Sequence, residues 1–534
     1  MNSNKILIVG GGSAGWMTAA TLIKAYPDRD ITLLESKQIQ KIGVGESTNA
    51  GLPAWLSLLD IDYKDFMAYT DAAYKLSIKF TDFHSIGDNG FHYPFGHPTL
   101  QNFKTNPPGD WHFLKLIEPE TTRQSYVNSI FPSSVLIDTN KMYFPKNTYE
   151  MDGFSMKRDF ALQFDAIKFA SWLKERYAMP RGVKHIEADV VKVNTDDDGV
   201  SSIVLSDGTE LSADIYIDCT GFKGLLIKEA LQTPFESHAE QLPINRTWAV
   251  QLPYEDPDRE VVNYTNCTAL GYGWVWNAPL YSRIGTGYVY SDRFTTPEDA
   301  LEEFKEHLRK EHGAHRITDD LKFRDIPFES GVVSKPWNKN VAAIGLSGFF
   351  LEPLESTGLM FIHQFAVMLT KMIMNPVINK FDQEAYNFEV KRTINNYSAF
   401  VQLHYLLSSR RDTEFWRYMT SRDVLPKTRN DANMTTFLAE IRGKLNTQNF
   451  AISILEGFHC IAVGHEWYPI SPLSLNEVKY NTPSIDPVEI ARSFKSNSEQ
   501  LRAKWFNVIK DAPTHYQFLK ENYHSAKSDQ ELPL

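Results

Sequence analysis

The residues Gly10-Gly11-Gly12-Ser13-Ala14-Gly15 contain a GxGxxG at Gly10, Gly12 and Gly15. Glycines at this spacing let the backbone, with Ser13 and Ala14, approach a pyrophosphate at the positive end of a helix. Glu35, 20 residues beyond Gly15, is placed to hydrogen-bond a ribose hydroxyl. The same letters also read GxSxG, the nucleophile elbow of a hydrolase. That alternative leaves Glu35 without a role, and no clear acid and histidine partners follow. A purely structural glycine turn is the third reading. Elsewhere, His92, His97, His404, His459 and His465 show no HExxH or other metal spacing, so no metal is assigned. Cys219, Cys267 and Cys460 are far apart and odd in number, which fits buried free thiols in a reducing cytoplasm.

The glycine loop needs a strand before it and a helix after it. Residues 5–9 are a short apolar run that reads as a buried parallel strand, residues 14–25 have helical apolar spacing, and residues 31–35 read as the next strand. Residues 164–178 predict a helix. Residues 186–193 and 201–206 predict a hairpin around Asp196-Asp197-Asp198-Gly199. Residues 212–221 predict a buried strand ending in a glycine turn, 242–295 antiparallel sheet, and 296–312 a charged surface helix. Residues 80–150, rich in Pro, Gly, Asn and aromatics, read as long loops or a loop-rich insertion, of a kind that often carries function and is expected to contribute to the substrate site. From about 376 the chain turns helical and more polar. The expected division is therefore a 1–375 cofactor-binding core and a 376–534 mainly helical lobe.

Composition bounds the partners. Of 534 residues, 42% are hydrophobic and 23% charged, ordinary for a globular enzyme. A net charge of −11 argues against a nucleic-acid binder, which needs a basic stripe. The N-terminus lacks a signal-peptide core, and the apolar stretch from Gly358 to Met374 is broken by His363, Gln364 and Lys371. It reads as a buried helix, so no membrane partner is expected and a cytoplasmic location is.

Which dinucleotide is read from what occurs once. An enzyme that reduces its own flavin with NAD(P)H usually shows a second glycine loop; this chain shows one. The turn Ile217-Asp218-Cys219-Thr220-Gly221 is similar to the second dinucleotide contact of FAD-binding monooxygenase folds. FAD is therefore expected, with electrons from a separate NAD(P)H:flavin reductase.

Five further stretches carry a specific resemblance. Trp274-Val275-Trp276-Asn277-Ala278-Pro279 resembles a WxWxIP signature with Ala278 in place of Ile. Phe350-Leu351-Glu352-Pro353-Leu354-Glu355-Ser356-Thr357-Gly358 resembles FLEPLESTG. Residues 73–80 (AYKLSIKF), the GVGEST turn from Gly43 to Thr48 with Gly45 at its centre, and Phe400 to Trp416 also match. Together these identify the chain as a member of the flavin-dependent tryptophan halogenase family over roughly residues 5–420. The resemblance implies an FAD-binding monooxygenase-like α/β module with a mixed sheet and an appended helical lobe. It implies that reduced FAD, oxygen and halide (chloride, bromide or iodide) yield hypohalous acid, which halogenates an electron-rich aromatic. Lys75 would receive that acid, by hydrogen bond or as a haloamine. Glu355 would stabilise the ring cation and help remove its proton. Thr357 and Gly358 match the halide site, Trp274 and Trp276 the residues that keep substrate from the flavin, and Phe95, Pro353 and Ser356 the substrate pocket and channel. A homodimer is a further implication. The bland readings are a surface lysine for Lys75, core packing for the two tryptophans, which share one strand face, and a cap for a helix beginning near Ser356 in the case of Glu355.

The match fails where free tryptophan would be recognised. Ile441-Arg442-Gly443-Lys444 and Gln448 stand where a tyrosine pair and a glutamate are expected, and Ser453 replaces a stacking tryptophan. A buried ammonium without a partner is strongly disfavoured. Free tryptophan is therefore expected to be a poor substrate, and an indole or phenol a better one. An FAD-dependent aromatic monooxygenase is the alternative activity; it needs neither Lys75 nor Glu355.

Overall fold

The computed structural model describes residues 3–38, 46–99, 107–374, 378–421, 452–467 and 486–525. Lys5–Val9 forms a strand because four consecutive apolar residues can be covered on both faces. It lies inside a six-stranded sheet ordered Trp337–Asn338, Val341–Ala343, Ile215–Asp218, Lys5–Val9, Asp30–Glu35, Lys184–Glu187. Neighbours run parallel except Trp337–Asn338, which is antiparallel to Val341–Ala343. Helix Ser13–Ala25 leaves the first strand and packs on helix Gly358–Met372. The sheet is thus mixed, and the glycine loop sits between strand and helix as its spacing predicts.

The second sheet has seven strands: Arg324–Pro327, Arg246–Leu252, Ile284–Tyr290, Gly273–Pro279, Tyr264–Ala269, Ser77–Thr81 and Phe91–Pro94. Its pairs are antiparallel except Tyr264–Ala269 with Ser77–Thr81. The expected 242–295 sheet supplies its middle. A small separate sheet is made by Glu46–Ser47, Ala161–Phe164 and Ala73–Lys75. Lys75 therefore ends one sheet immediately before Ser77–Thr81 enters another.

Two expectations need correction. Residues 186–193 are not one strand. Lys184–Glu187 joins the parallel sheet, and Val190–Asp196 starts the hairpin with Gly199–Leu205. Residues 80–150 hold long loops, as expected, and between them the helices Pro107–Ile117, Gln124–Ile130 and Ser134–Thr139. Those helices are short, so tertiary burial decides them more than propensity does; Trp111, Tyr126 and Ile130 pack with Phe494 of helix Pro487–Ile509. The helix expected near Ser356 begins at Gly358 after a left-handed Ser356 (φ 53°), and Glu355 caps nothing.

Beyond residue 378 the named elements are helices: Lys380–Leu406, Glu414–Met419, Ile452–Gly464, Pro487–Ile509 and His515–Tyr523. The largest apolar cluster runs from Ile6 to Tyr523, through both sides of residue 375. Among the described residues, no helix is long and apolar enough to cross a membrane.

Candidate active site

Three turns meet at the start of helix Ser13–Ala25. Gly10 has φ +117°, and a Cβ there would lie 2.1 Å from the Cys219 carbonyl oxygen, so the glycine loop and the Asp218–Gly221 turn touch directly. A Cβ on Gly15 would lie 1.9 Å from the Gly10 oxygen. Gly345, at φ +82°, brings a third turn against Ala14, with a would-be Cβ 2.8 Å from Ala14 Cβ. Asp218 holds the second turn by accepting the N–H groups of Thr220, Leu226 and Ile227 at 2.8–2.9 Å. Gly12 and Gly221, by contrast, face open space within 4 Å of a would-be Cβ. Glu35 packs against Gly11 and lies 3.2 Å from His185 Nε2. This cradle of bare backbone, helix N-terminus and acidic residue fits a dinucleotide. Ser13 opens the helix and donates to the Ala166 carbonyl at 3.5 Å. Gly45 lies outside the described residues.

Lys75 is wholly buried. Its Nζ donates to the Thr48 carbonyl at 2.8 Å and to Ser356 Oγ at 2.9 Å, and lies 5.2 Å from the Phe95 ring centroid. Burial pulls its amine down from 10.5 to about 7. The surface-lysine reading is thereby excluded. The fold fixes each contact. Thr48 is locked by a three-way exchange with the Leu162 backbone, and Phe95 N–H donates to the Leu76 carbonyl at 2.8 Å. Behind Lys75, Tyr74 N–H donates to His515 Nε2 at 3.1 Å, and its hydroxyl meets that of Tyr523 at 2.6 Å. The last described helix thus braces the lysine strand.

Glu355 and Ser356 sit on the turn Pro353–Glu355 that precedes helix Gly358–Met372. Glu355 is 5% exposed, and its Oε1 is 2.8 Å from Nε2 of the buried His404. Ser356 holds a left-handed backbone, a sparsely populated state for a non-glycine and one that recurs at functional sites. Thr357 is fully buried with its Oγ1 unpartnered among the described residues, and a Cβ on Gly358 would meet open space. An orphan hydroxyl and free space at a helix N-terminus suit a small anion.

Trp274 and Trp276 lie on the strand Gly273–Pro279, 1% and 8% exposed. Trp276 is opposite Gly287, where a Cβ would come 2.1 Å from its ring. Trp274 reaches Glu352, three residues ahead of Glu355, at 3.2 Å.

Lys75, Phe95, Pro353, Glu355, Ser356, Thr357 and Gly358 are thus joined by short contacts or neighbouring chain positions. The glycines and Glu35 gather in the other cradle. Sequence reasoning missed Thr48 as a backbone acceptor, although its GVGEST turn stood out, and missed the Gly345 turn, signalled only by glycines after a short strand. His404 was seen, but only as a failed metal ligand. Ile441, Arg442, Gly443, Lys444 and Gln448 lie outside the described residues, as does the side chain of Ser453.

The family model for tryptophan halogenase matches residues 5–477. The tryptophan 6-halogenase SttH of Streptomyces toxytricini is 33% identical over 438 residues, covering 79% of this chain and 82% of that protein. The apo structure of VirX1 aligns with a TM-score of 0.88 at 34% identity, covering 98% of this chain and 100% of its own. Xcc4156, a flavin-dependent halogenase from Xanthomonas campestris, aligns with a TM-score of 0.81 at 27% identity, covering 98% of this chain and 99% of its own. With a family match over most of its length, the chain belongs to the tryptophan halogenase family and has the fold of the flavin-dependent halogenases.

Proposed function

We propose that this protein halogenates an electron-rich aromatic, with Lys75 receiving the halogen and Glu355 removing the ring proton. Gly10, Gly12, Ser13, Ala14, Gly15 and Gly221 would hold FAD phosphates, Glu35 its ribose, and Thr357 with Gly358 the halide. When bound and reduced by a separate flavin reductase, FAD supplies hypohalous acid from oxygen and halide. The observation that carries the reading is the setting of Lys75. A neutral amine has two N–H groups and one lone pair. Thr48 O and Ser356 Oγ match the two N–H groups, which leaves the lone pair for the electrophile. The amine titrates at about 7 because the site is dry, so an appreciable neutral fraction exists at ordinary pH. Glu355, on the residue before Ser356, is a base within the same buried pocket. Trp274 and Trp276, both buried, would wall the passage from the flavin cradle to the substrate.

The substrate assigned is an indole or phenol rather than free tryptophan. Support comes from Ile441, Arg442, Gly443, Lys444 and Gln448, which supply no carboxylate for an ammonium. The test is mass spectrometry of aerobic reactions holding enzyme, FAD, NADH, a generic flavin reductase, catalase and bromide, with tryptophan, indole or phenol. A bromine isotope doublet on indole or phenol supports the reading. A doublet mainly on tryptophan overturns the substrate assignment. Oxygenated product without bromine moves the chain to the monooxygenase activity.

A further inference from the structure

We propose that Ser47, Thr265 and Gln163 are positioning residues for Lys75: they fix the direction of the Ser356 hydroxyl, so that it accepts from the amine and does not cover its lone pair. The proposal rests on the role assigned to Lys75 above and names what holds that lysine ready. Of the two partners of Lys75 Nζ, the Thr48 carbonyl can only accept, whereas a serine hydroxyl can point either way. Ser356 Oγ is 3.4 Å from Ser47 Oγ, which is 2.7 Å from Thr265 Oγ1, which is 2.9 Å from Gln163 Oε1. Gln163 is 0% exposed, Thr265 2% and Ser356 7%, so bulk water competes little for their hydrogens. The fold gathers the chain from four segments. Ser47 and Gln163 are opposite each other in the small sheet, Thr265 pairs with Ile78 just past Lys75, and Ser356 follows the turn Pro353–Glu355.

The hydrogens in this chain run one way. Gln163 meets it through its oxygen, which only accepts, so the single Thr265 hydroxyl hydrogen is committed to Gln163. Thr265 then accepts from Ser47, whose own hydrogen is committed to that contact. Ser47 in turn accepts from Ser356, and Ser356 is left with only a lone pair to offer Lys75. Successive hydrogen bonds polarise one another, so the two short links strengthen the longest one, between Ser356 and Ser47. Without the chain, the Ser356 hydrogen is free to turn toward the neutral amine, whose nitrogen is a better acceptor than a serine oxygen. A lone pair capped in this way has to shed a hydrogen bond before it can take halogen, and the electrophile escapes in the meantime. The chain therefore governs how the electrophile partitions between Lys75 and solvent, and leaves its formation at the flavin untouched.

The test compares Thr265→Val with Thr265→Ser in the full chain, given FAD, a flavin reductase, oxygen, bromide and indole. Valine keeps the shape and loses the hydroxyl, whereas serine keeps the hydroxyl and loses the methyl. In Thr265→Val, brominated indole per reduced FAD oxidised should fall tenfold or more. Hypobromous acid trapped in solution by monochlorodimedone should rise to match, with flavin oxidation and the KM for indole within threefold of wild type. Thr265→Ser should stay within threefold of wild type in every respect, and Ser47→Ala, one link nearer Lys75, should repeat the valine result. A second readout needs no turnover. At pH 9 the Lys75 amine, which titrates at about 7, is neutral. In 15N-lysine protein its Nζ resonance, assigned by its loss in Lys75→Met, should move in Thr265→Val and Ser47→Ala and stay in place in Thr265→Ser. Wild-type partition and an unmoved resonance in Thr265→Val overturn the proposal. So does a Thr265→Ser as poor as Thr265→Val, or a loss of product matched by lost flavin oxidation, since either marks a packing role. Wild-type yield in Lys75→Ala rejects instead the Lys75 reading beneath it.

Discussion

Trp274 donates its indole N–H to Oε1 of Glu352 at 3.2 Å, and Tyr405 donates its hydroxyl to the same oxygen. Glu352 is 0% exposed, and its other oxygen has no partner among the described residues. A buried carboxyl so placed ties Trp274 to the loop that carries Glu355. Burial pushes its pKa from 4.5 up to about 7.

That shift has a stability consequence. Between pH 4.5 and about 7 the unfolded carboxyl has ionised while the folded one keeps its proton. Stability therefore falls as pH rises through this window, and the cost is complete above about 7. Glu352→Gln still offers an oxygen to Trp274 and Tyr405 and removes the cost. Chemical denaturation should find it more stable than the wild type at pH 8, by about 3 kcal/mol at most, with no advantage at pH 4. An equal difference at both pH values contradicts the assignment.

For Lys75 the sign is the opposite. Between about 7 and 10.5 the unfolded lysine holds a proton that the folded one has released, so stability rises with pH there. Lys75→Met removes this slope. Its stability relative to the wild type should be most favourable below pH 7 and decline toward pH 10, by roughly 1.4 kcal/mol per pH unit at most. Halogenation by the wild type should climb as pH rises through about 7, as the amine frees its lone pair. A rate that falls through the same range assigns the charged form instead.

The cradle proposed for FAD separates folding from binding. Gly12→Val places its side chain in open space, so the apo protein should lose only about 1 kcal/mol. FAD affinity, read by quenching of flavin fluorescence, should fall at least tenfold. Gly10→Ala should instead destabilise the fold itself by about 1–3 kcal/mol, since it meets the Cys219 carbonyl and an unfavourable φ. Full FAD affinity in Gly12→Val would place the cofactor elsewhere.

Gly287 lets the Trp276 ring lie flat on the next strand. Gly287→Ala would put a Cβ 2.1 Å from that ring and 2.6 Å from the Trp248 carbonyl. The expected outcome is a loss of about 1–3 kcal/mol and less halogenated product per NADH. Unchanged stability and yield would contradict the proposed role of Trp276 in separating substrate from flavin.

The glycine loop, its strand and helix, and Glu35 were legible because a local βαβ pattern specifies them. Lys75 and Glu355 were legible only through motif resemblance. Nothing near Lys75 in the sequence announces that Thr48 and Ser356, 27 and 281 positions away, take its hydrogens. The helices at 107–139 were missed because burial against Pro487–Ile509, not local periodicity, decides them. His404 looked idle for the same reason: its partner Glu355 is 49 positions away in the chain and joined to it only by the fold.

The central claim is that Lys75 receives the halogen. The direct measurement is brominated indole formed per reduced FAD oxidised, in the wild type and in Lys75→Ala, with bound FAD confirmed in both. The account predicts equal flavin oxidation and at least a hundredfold less brominated indole in Lys75→Ala. Brominated indole at the wild-type yield in Lys75→Ala would contradict it.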